Sequence, residues 1–223
     1  MAQHLLREIE QLKKRILALG ATVESSVNKA VYAVEHRDTD AADKVIKGDK
    51  AIDQAEVDLE EDCLKVLALH QPVAIDLRFI VAVLKINNDL ERIGDLSVNM
   101  AERAVFLASR PYINVPFDLN VSAEKAQQMV RQSLDSLVSL NAAMARDVCR
   151  MDDEVDGLNR SAFESVTRVI HAQPDHAETL IAYLSVSRYL ERIADHATNI
   201  AEDVIYMIEG VIARHGAGPL RIQ

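Results

Sequence analysis

Apolar residues recur every three or four positions along almost the whole chain, a pattern that predicts helix after helix and no strand. The first stripe, Leu5, Ile9, Leu12, Ile16, Leu19, Val23, Val27 and Val34, predicts a helix over residues 3–36. "HRDTDAADK" interrupts it, with Asp38 or Thr39 suited to cap the next helix. That second helix, to His70, places Val45, Ile52, Leu59 and Val66 at one heptad position. Pro72 in "HQPVAIDL" suits the start of a third. Its seam, Phe79, Val83, Ile86, Leu90, Ile93, Met100, Ala104 and Leu107, takes the polar Ser97 as one step. The mean spacing of about 3.5 is that of a left-handed bundle.

"SRPYINVPFDLNVSA", residues 109–123, has no helical period and two prolines, and is the best linker in the chain. Beyond it the organisation repeats, with predicted helices over 122–150, 152–172 and 175–215 and "AQPDH" standing where "HQPVA" stood. "LERIGDLSVN" at 90–99 returns one hundred positions later as "LERIADHATN". Without a gap, 79–104 and 179–204 share Ala82, Leu84, Leu90, Glu91, Arg92, Ile93, Asp95, Asn99, Ala101 and Glu102 with their counterparts. The expected fold is therefore all-α: two tandem, pseudo-repeated three-helix bundles made of six long antiparallel helices. The expected boundaries are 1–110 for the first bundle, 111–121 for the linker, 122–215 for the second bundle and 216–223 for a tail.

Composition agrees with an all-helical chain: 49 % hydrophobic residues provide a core, while 7 glycines and 5 prolines allow few turns. The formal net charge of −10 argues against nucleic acid as a partner. Cys63 and Cys149 stand singly in helical patterns, without a CxxC, and read as small apolar residues in a reducing compartment. The first twenty residues lack the apolar core of a signal peptide, and no stretch is long and apolar enough to span a membrane. A cytoplasmic protein without direct membrane insertion is expected.

The repeated segment poses the chemical question. Glu91 and Asp95 lie four apart, on one helix face, as do Glu191 and Asp195. Asn99, Glu102, Asn199 and Glu202 extend the two strips. Like charges at this spacing destabilise an exposed helix by about 0.2–0.5 kcal/mol per pair. A lone pair of this kind is ordinarily a solvated surface. Two more pairs alter that reading: Asp49 and Asp53 early in the second helix, Asp152 and Asp156 early in the fifth. Antiparallel packing would gather Asp49, Asp53, Glu91 and Asp95 into one patch, and Asp152, Asp156, Glu191 and Asp195 into another. Oxygen-only ligands favour hard cations: Mg²⁺, Ca²⁺, Mn²⁺ or iron. Zinc usually takes His or Cys, and only His196 stands nearby. No Glu has a His three residues on, so a di-iron oxidase is disfavoured. Arg92 and Arg192 read as partners of neighbouring carboxylates. No phosphate loop or nucleophile constellation can be found, and no catalytic residue is assigned. A metal-dependent hydrolase or phosphatase, and a metal store, stand as alternatives to a non-enzymatic scaffold.

With "LLREIEQLKKRILALG" at the start, two three-helix halves and four acidic x-x-x-spaced pairs, the chain resembles the PhoU family of phosphate-signalling regulators. The resemblance covers nearly the whole chain, and all eight acidic positions are filled. It implies a cytoplasmic homodimer that carries multinuclear iron or zinc clusters on its acidic patches; the ligand set would equally accept Mg²⁺ or Mn²⁺. It further implies a non-enzymatic repressor of the phosphate-starvation response and of phosphate uptake. Its implied partners are the ATP-hydrolysing subunit of the phosphate ABC transporter and a phosphate-sensing histidine kinase, reached at the inner face of the membrane.

Overall fold

The structure is a computed structural model that describes residues 2–210, with side chains from residue 4 onward. Among these residues six long helices form: α1 (Ala2–His36), α2 (Thr39–His70), α3 (Ala74–Ala108), α4 (Leu119–Ser139), α5 (Ala142–Ala172) and α6 (Ala177–Glu209). None is long and apolar enough to cross a membrane.

The predicted seams are the core. Val45, Ile52, Leu59 and Val66 of α2 are all buried, as are Val83, Ile86, Leu90, Ile93, Met100, Ala104 and Leu107 of α3. A fully buried Leu, Ile, Val or Met contributes about 1.5–3 kcal/mol. Ser97 fills its step in the seam because its hydroxyl donates to the Ile93 carbonyl, 2.9 Å away, one turn back. Cys63 is buried and Cys149 only partly so; burial pushes their thiols up to about 12 and about 11, and both are free.

α1, α2 and α3 pack as one triangle, and α4, α5 and α6 as a second. The triangles join along α3–α6, the most extensive contact in the molecule, and along α1–α4. α4 and α1 cross closely at Gly20, where a Cβ would meet Leu134 Cδ2 at 2.7 Å. α2 and α5 do not pack on each other. The outer surfaces of α2, α3, α6 and α5 therefore form one broad face, with α1 and α4 behind it.

The turns explain where the helices stop. Asp38 caps α2 by accepting from the Ala41 amide at 2.9 Å, after Arg37 turns the chain at φ 51°. Asp118 caps α4 and sets its start at Leu119, ahead of the expected residue 122. The expected break between residues 150 and 152 is not there: α5 runs unbroken through it. The chain reverses instead at Leu140, with φ 50°, and Asn141, whose side chain accepts from the Ala143 and Met144 amides. Offset by 103, Leu140 and Asn141 match Arg37 and Asp38, so both halves turn in the same way. α6 ends at Glu209, capped by Gly210 at φ 72°. The expected extension to His215 and the tail 216–223 lie outside the described residues.

Candidate metal-binding face

The α3–α6 seam runs antiparallel, as its cross-links show. Lys85 Nζ donates to the buried Asp203 Oδ1 at 3.1 Å, and Asp89 Oδ1 accepts from Asn199 Nδ2 at 3.2 Å. His196 Nδ1 lies 2.8 Å from the same Asp89 oxygen. Asn199 thus serves the seam rather than extending the acidic strip. With Leu90 and Ile93 turned to the core, helical spacing puts Asp95 on the outer face and Glu91 beside α2.

The structure gathers both predicted tetrads. In the first, Asp49 and Asp53 of α2 stand by Glu91 and Asp95 of α3. Asp49 is raised from 3.8 to about 6 by partial burial, then by the charges of Asp53 and Asp95. Glu91 is raised by partial burial and then by Asp95, against the lowering effect of Arg92. α2 and α3 come close here because position 94 is glycine: a Cβ would meet Ile52 Cγ2 at 3.2 Å and Asp49 Oδ1 at 3.5 Å. Arg92 is the patch's own counter-charge, with Nη1 3.1 Å from Asp95 Oδ2 and Nε 3.4 Å from Glu91 Oε2. That Glu91 oxygen is nevertheless buried without a hydrogen bond.

The second tetrad repeats the first with altered detail. Asp152 is raised by partial burial, which the 3.1 Å hydrogen bond from Thr198 Oγ1 offsets, and Asp156 adds to the rise. Glu191 is raised by partial burial and Asp195. Asp195 is raised by partial burial of its carboxyl, then by Asp152 and Asp156. Arg192 and His196 oppose that rise.

Two groups escaped the sequence reading. Glu56 extends the first patch; its Oε1 accepts from Asn87 Nδ2 at 3.1 Å, and burial with Glu60 and Asp53 raises its pKa. Thr198 is the other, a neutral residue whose role depends on α5 facing α6. Both could have been found by following the face one turn further.

Each tetrad concentrates negative charge that the protein neutralises only in part, and the first holds a buried carboxylate oxygen lacking a donor. Oxygen donors with such surplus charge fit hard divalent or ferric cations. In the rotamers described, no three Asp, Glu, His or Cys side chains among the described residues close around a single point. Enclosing an ion therefore requires the carboxylates to turn, which their position on an open face allows.

A duplicated six-helix bundle bearing two acidic tetrads on one face defines the class of protein. The PhoU domain matches it twice, at residues 16–104 and 119–204, and the chain belongs to the PhoU family. A PhoU homologue of Aquifex aeolicus, named as a phosphate-specific transport system accessory protein, is 37 % identical over 95 % of this chain and 96 % of its own. The crystal structure of PhoU from Pseudomonas aeruginosa superposes with a TM-score of 0.89 at 35 % identity, covering 92 % of this chain and 99 % of that one. The phosphate transport system regulatory protein PhoU from Streptococcus pneumoniae gives 0.83 at 26 % identity, over 93 % and 98 % of the two chains.

Proposed function

We propose that this protein is a non-enzymatic negative regulator of phosphate uptake and of the phosphate-starvation response. In this reading it acts in the cytoplasm as a homodimer, between the ATPase subunit of the phosphate ABC transporter and a phosphate-sensing histidine kinase. Asp49, Asp53, Glu91 and Asp95, with Asp152, Asp156, Glu191 and Asp195, would hold metal ions, iron or zinc in multinuclear form or Mg²⁺ or Mn²⁺. Bound cations would neutralise the face and change what it can dock against. The observation that carries the proposal is the pairing of both tetrads on one face of a PhoU-family bundle, with surplus carboxylate charge in each. The names of the relatives, accessory and regulatory proteins of phosphate transport, support the direction of the assignment.

Co-purification with the transporter and the kinase at high and low phosphate tests the bridge; capture of neither would sink it. Deleting the gene should leave phosphate-starvation genes expressed at high phosphate, and normal repression in the deletion strain would refute the regulatory role. Metal analysis of protein purified without chelator should find bound ions, with content reduced in the Glu91→Ala/Asp95→Ala variant.

A further inference from the structure

The duplication supplies an internal control: where the second half departs from the first, a surface has been altered within an unchanged frame. One such departure is a groove of about 470 Å³ between α5 and α6. Its walls include Arg160 and Phe163 from α5, and Ile181, Leu184 and Arg188 from α6. Matched at offsets of 103 for α5 and 100 for α6, Arg160 stands where the first half has Val57, Phe163 where it has Glu60, and Arg188 where it has Asn88. Asn159 replaces Glu56, yet keeps the cross-helix hydrogen bond, accepting from Ser187 Oγ at 3.0 Å where Glu56 accepts from Asn87. Two carboxylates are thus lost and two guanidiniums gained, while Ser185 of the lining stands where the first half has Lys85.

The groove is graded along its length. Asp156 and Glu191 of the second tetrad close one end. Arg160 lies one turn along α5, about 6 Å away, and Phe163 about 10 Å away at 1.5 Å per residue. Arg188 stands one turn from Glu191 on the facing helix, and Leu184 and Ile181 follow it toward the apolar end. Arg160 makes no ion pair or hydrogen bond among the described residues. Phe163 is 60 % exposed and Ile181 53 %, so both offer apolar surface to the groove.

We propose that this groove binds a nucleoside phosphate. The forked donors of Arg160 and Arg188 take the phosphate oxygens, and the base lies on Phe163 against Ile181 and Leu184. Aromatic faces of this kind hold bases by stacking. The carboxylate end favours a phosphate carried with a divalent cation, and only this last feature rests on the metal reading above. The first half cannot bind the same ligand, because Glu56 and Glu60 occupy the equivalent wall.

Calorimetric titration of the full chain with ATP and with inorganic phosphate, with and without Mg²⁺, tests the proposal. Saturable ATP binding is expected, with inorganic phosphate at least about tenfold weaker because it lacks a base to stack. Arg160→Gln/Arg188→Gln should weaken ATP about tenfold or more, and Phe163→Ser about tenfold. Lys14→Gln, which removes an exposed charge far from the groove, should bind as wild type. All substituted positions are exposed, and unchanged melting curves will show that the variants fold. Bound-metal content unchanged in the arginine variant separates this site from the metal reading. Absence of saturable ATP binding, equal affinity for inorganic phosphate, or wild-type affinity in the variants would each overturn the proposal.

Discussion

Replacing Asp49 by Asn should stabilise the ion-free protein above neutral pH and, under the proposed function, weaken cation binding. Partial burial, and then the charges of Asp53 and Asp95, raise the Asp49 carboxyl from 3.8 to about 6. A group whose folded-state pKa is raised contributes stability that is fully present below its unfolded pKa. That contribution is lost as pH rises through the folded value. For Asp49 the loss runs from about pH 4 to about pH 7. Unscreened, the rise corresponds to about 3 kcal/mol at 1.36 kcal/mol per tenfold change. The carboxyl is only partly buried, and solvent screening reduces this to about 1 kcal/mol. In a chain of this length, that is about 2–4 °C in Tm. Thermal melts of Asp49→Asn and wild type in EDTA should therefore nearly coincide at pH 4 and separate by pH 8, with the variant higher. Adding Mn²⁺ or Mg²⁺ at pH 8 should raise wild type more than the variant, because the variant has lost a charged ligand. If the variant melts lower than wild type by the same amount at both pH values in EDTA, the carboxylate repulsion described for this patch is wrong.

Three further outcomes are expected. Gly94→Leu should cost about 2–3 kcal/mol in urea unfolding, since the side chain meets Ile52 and Asp49 where α2 approaches α3. Leu140→Gly should raise Tm by a few degrees, corresponding to about 1 kcal/mol, because the exposed Leu140 holds φ 50° that glycine adopts freely. Lys85→Ala should cost about 2 kcal/mol by withdrawing a donor from the buried Asp203, and Lys85→Arg should recover part of it.

The helices were legible because their apolar residues serve one purpose, burial on one side, and the spacing records it. The α4–α5 turn was not, because Leu134 and Leu137 before it and Ala145 and Val148 after it continue an apolar pattern across the reversal. Neither Leu140 nor Asn141 is the glycine or proline that usually announces a turn. Their match to Arg37 and Asp38 was available in the sequence, but only once the repeat is aligned at 103 rather than 100. The tetrads could be read because both members of each pair lie on one helix, leaving only the neighbour to infer. The groove at Arg160, Phe163 and Arg188 is built from residues on two helices with no shared spacing. Its assembly depends on the antiparallel register of α5 and α6.

The polar links across the α3–α6 seam are, unlike the tetrads, not repeated. Lys85 corresponds to Ser185, Asp89 to Tyr189, His196 to Leu96 and Asp203 to Arg103. A symmetric seam would let either half accept another copy of itself, so that two first halves or two second halves could mate as readily as a mixed pair. Here a first half facing its own kind would keep a bond from Asn99 to Asp89 but would present Lys85 to Arg103, with no Asp203 to receive it and no His196 beside Asp89. The seam therefore works as a polarised fitting in which α3 offers the Lys85 donor and the Asp89 acceptor, and α6 the groups that answer each. It ties each half to the unlike one in its own chain. A gene encoding two first halves in tandem would set Lys85 against Arg103, like charge on like, where the ion pair with Asp203 now lies.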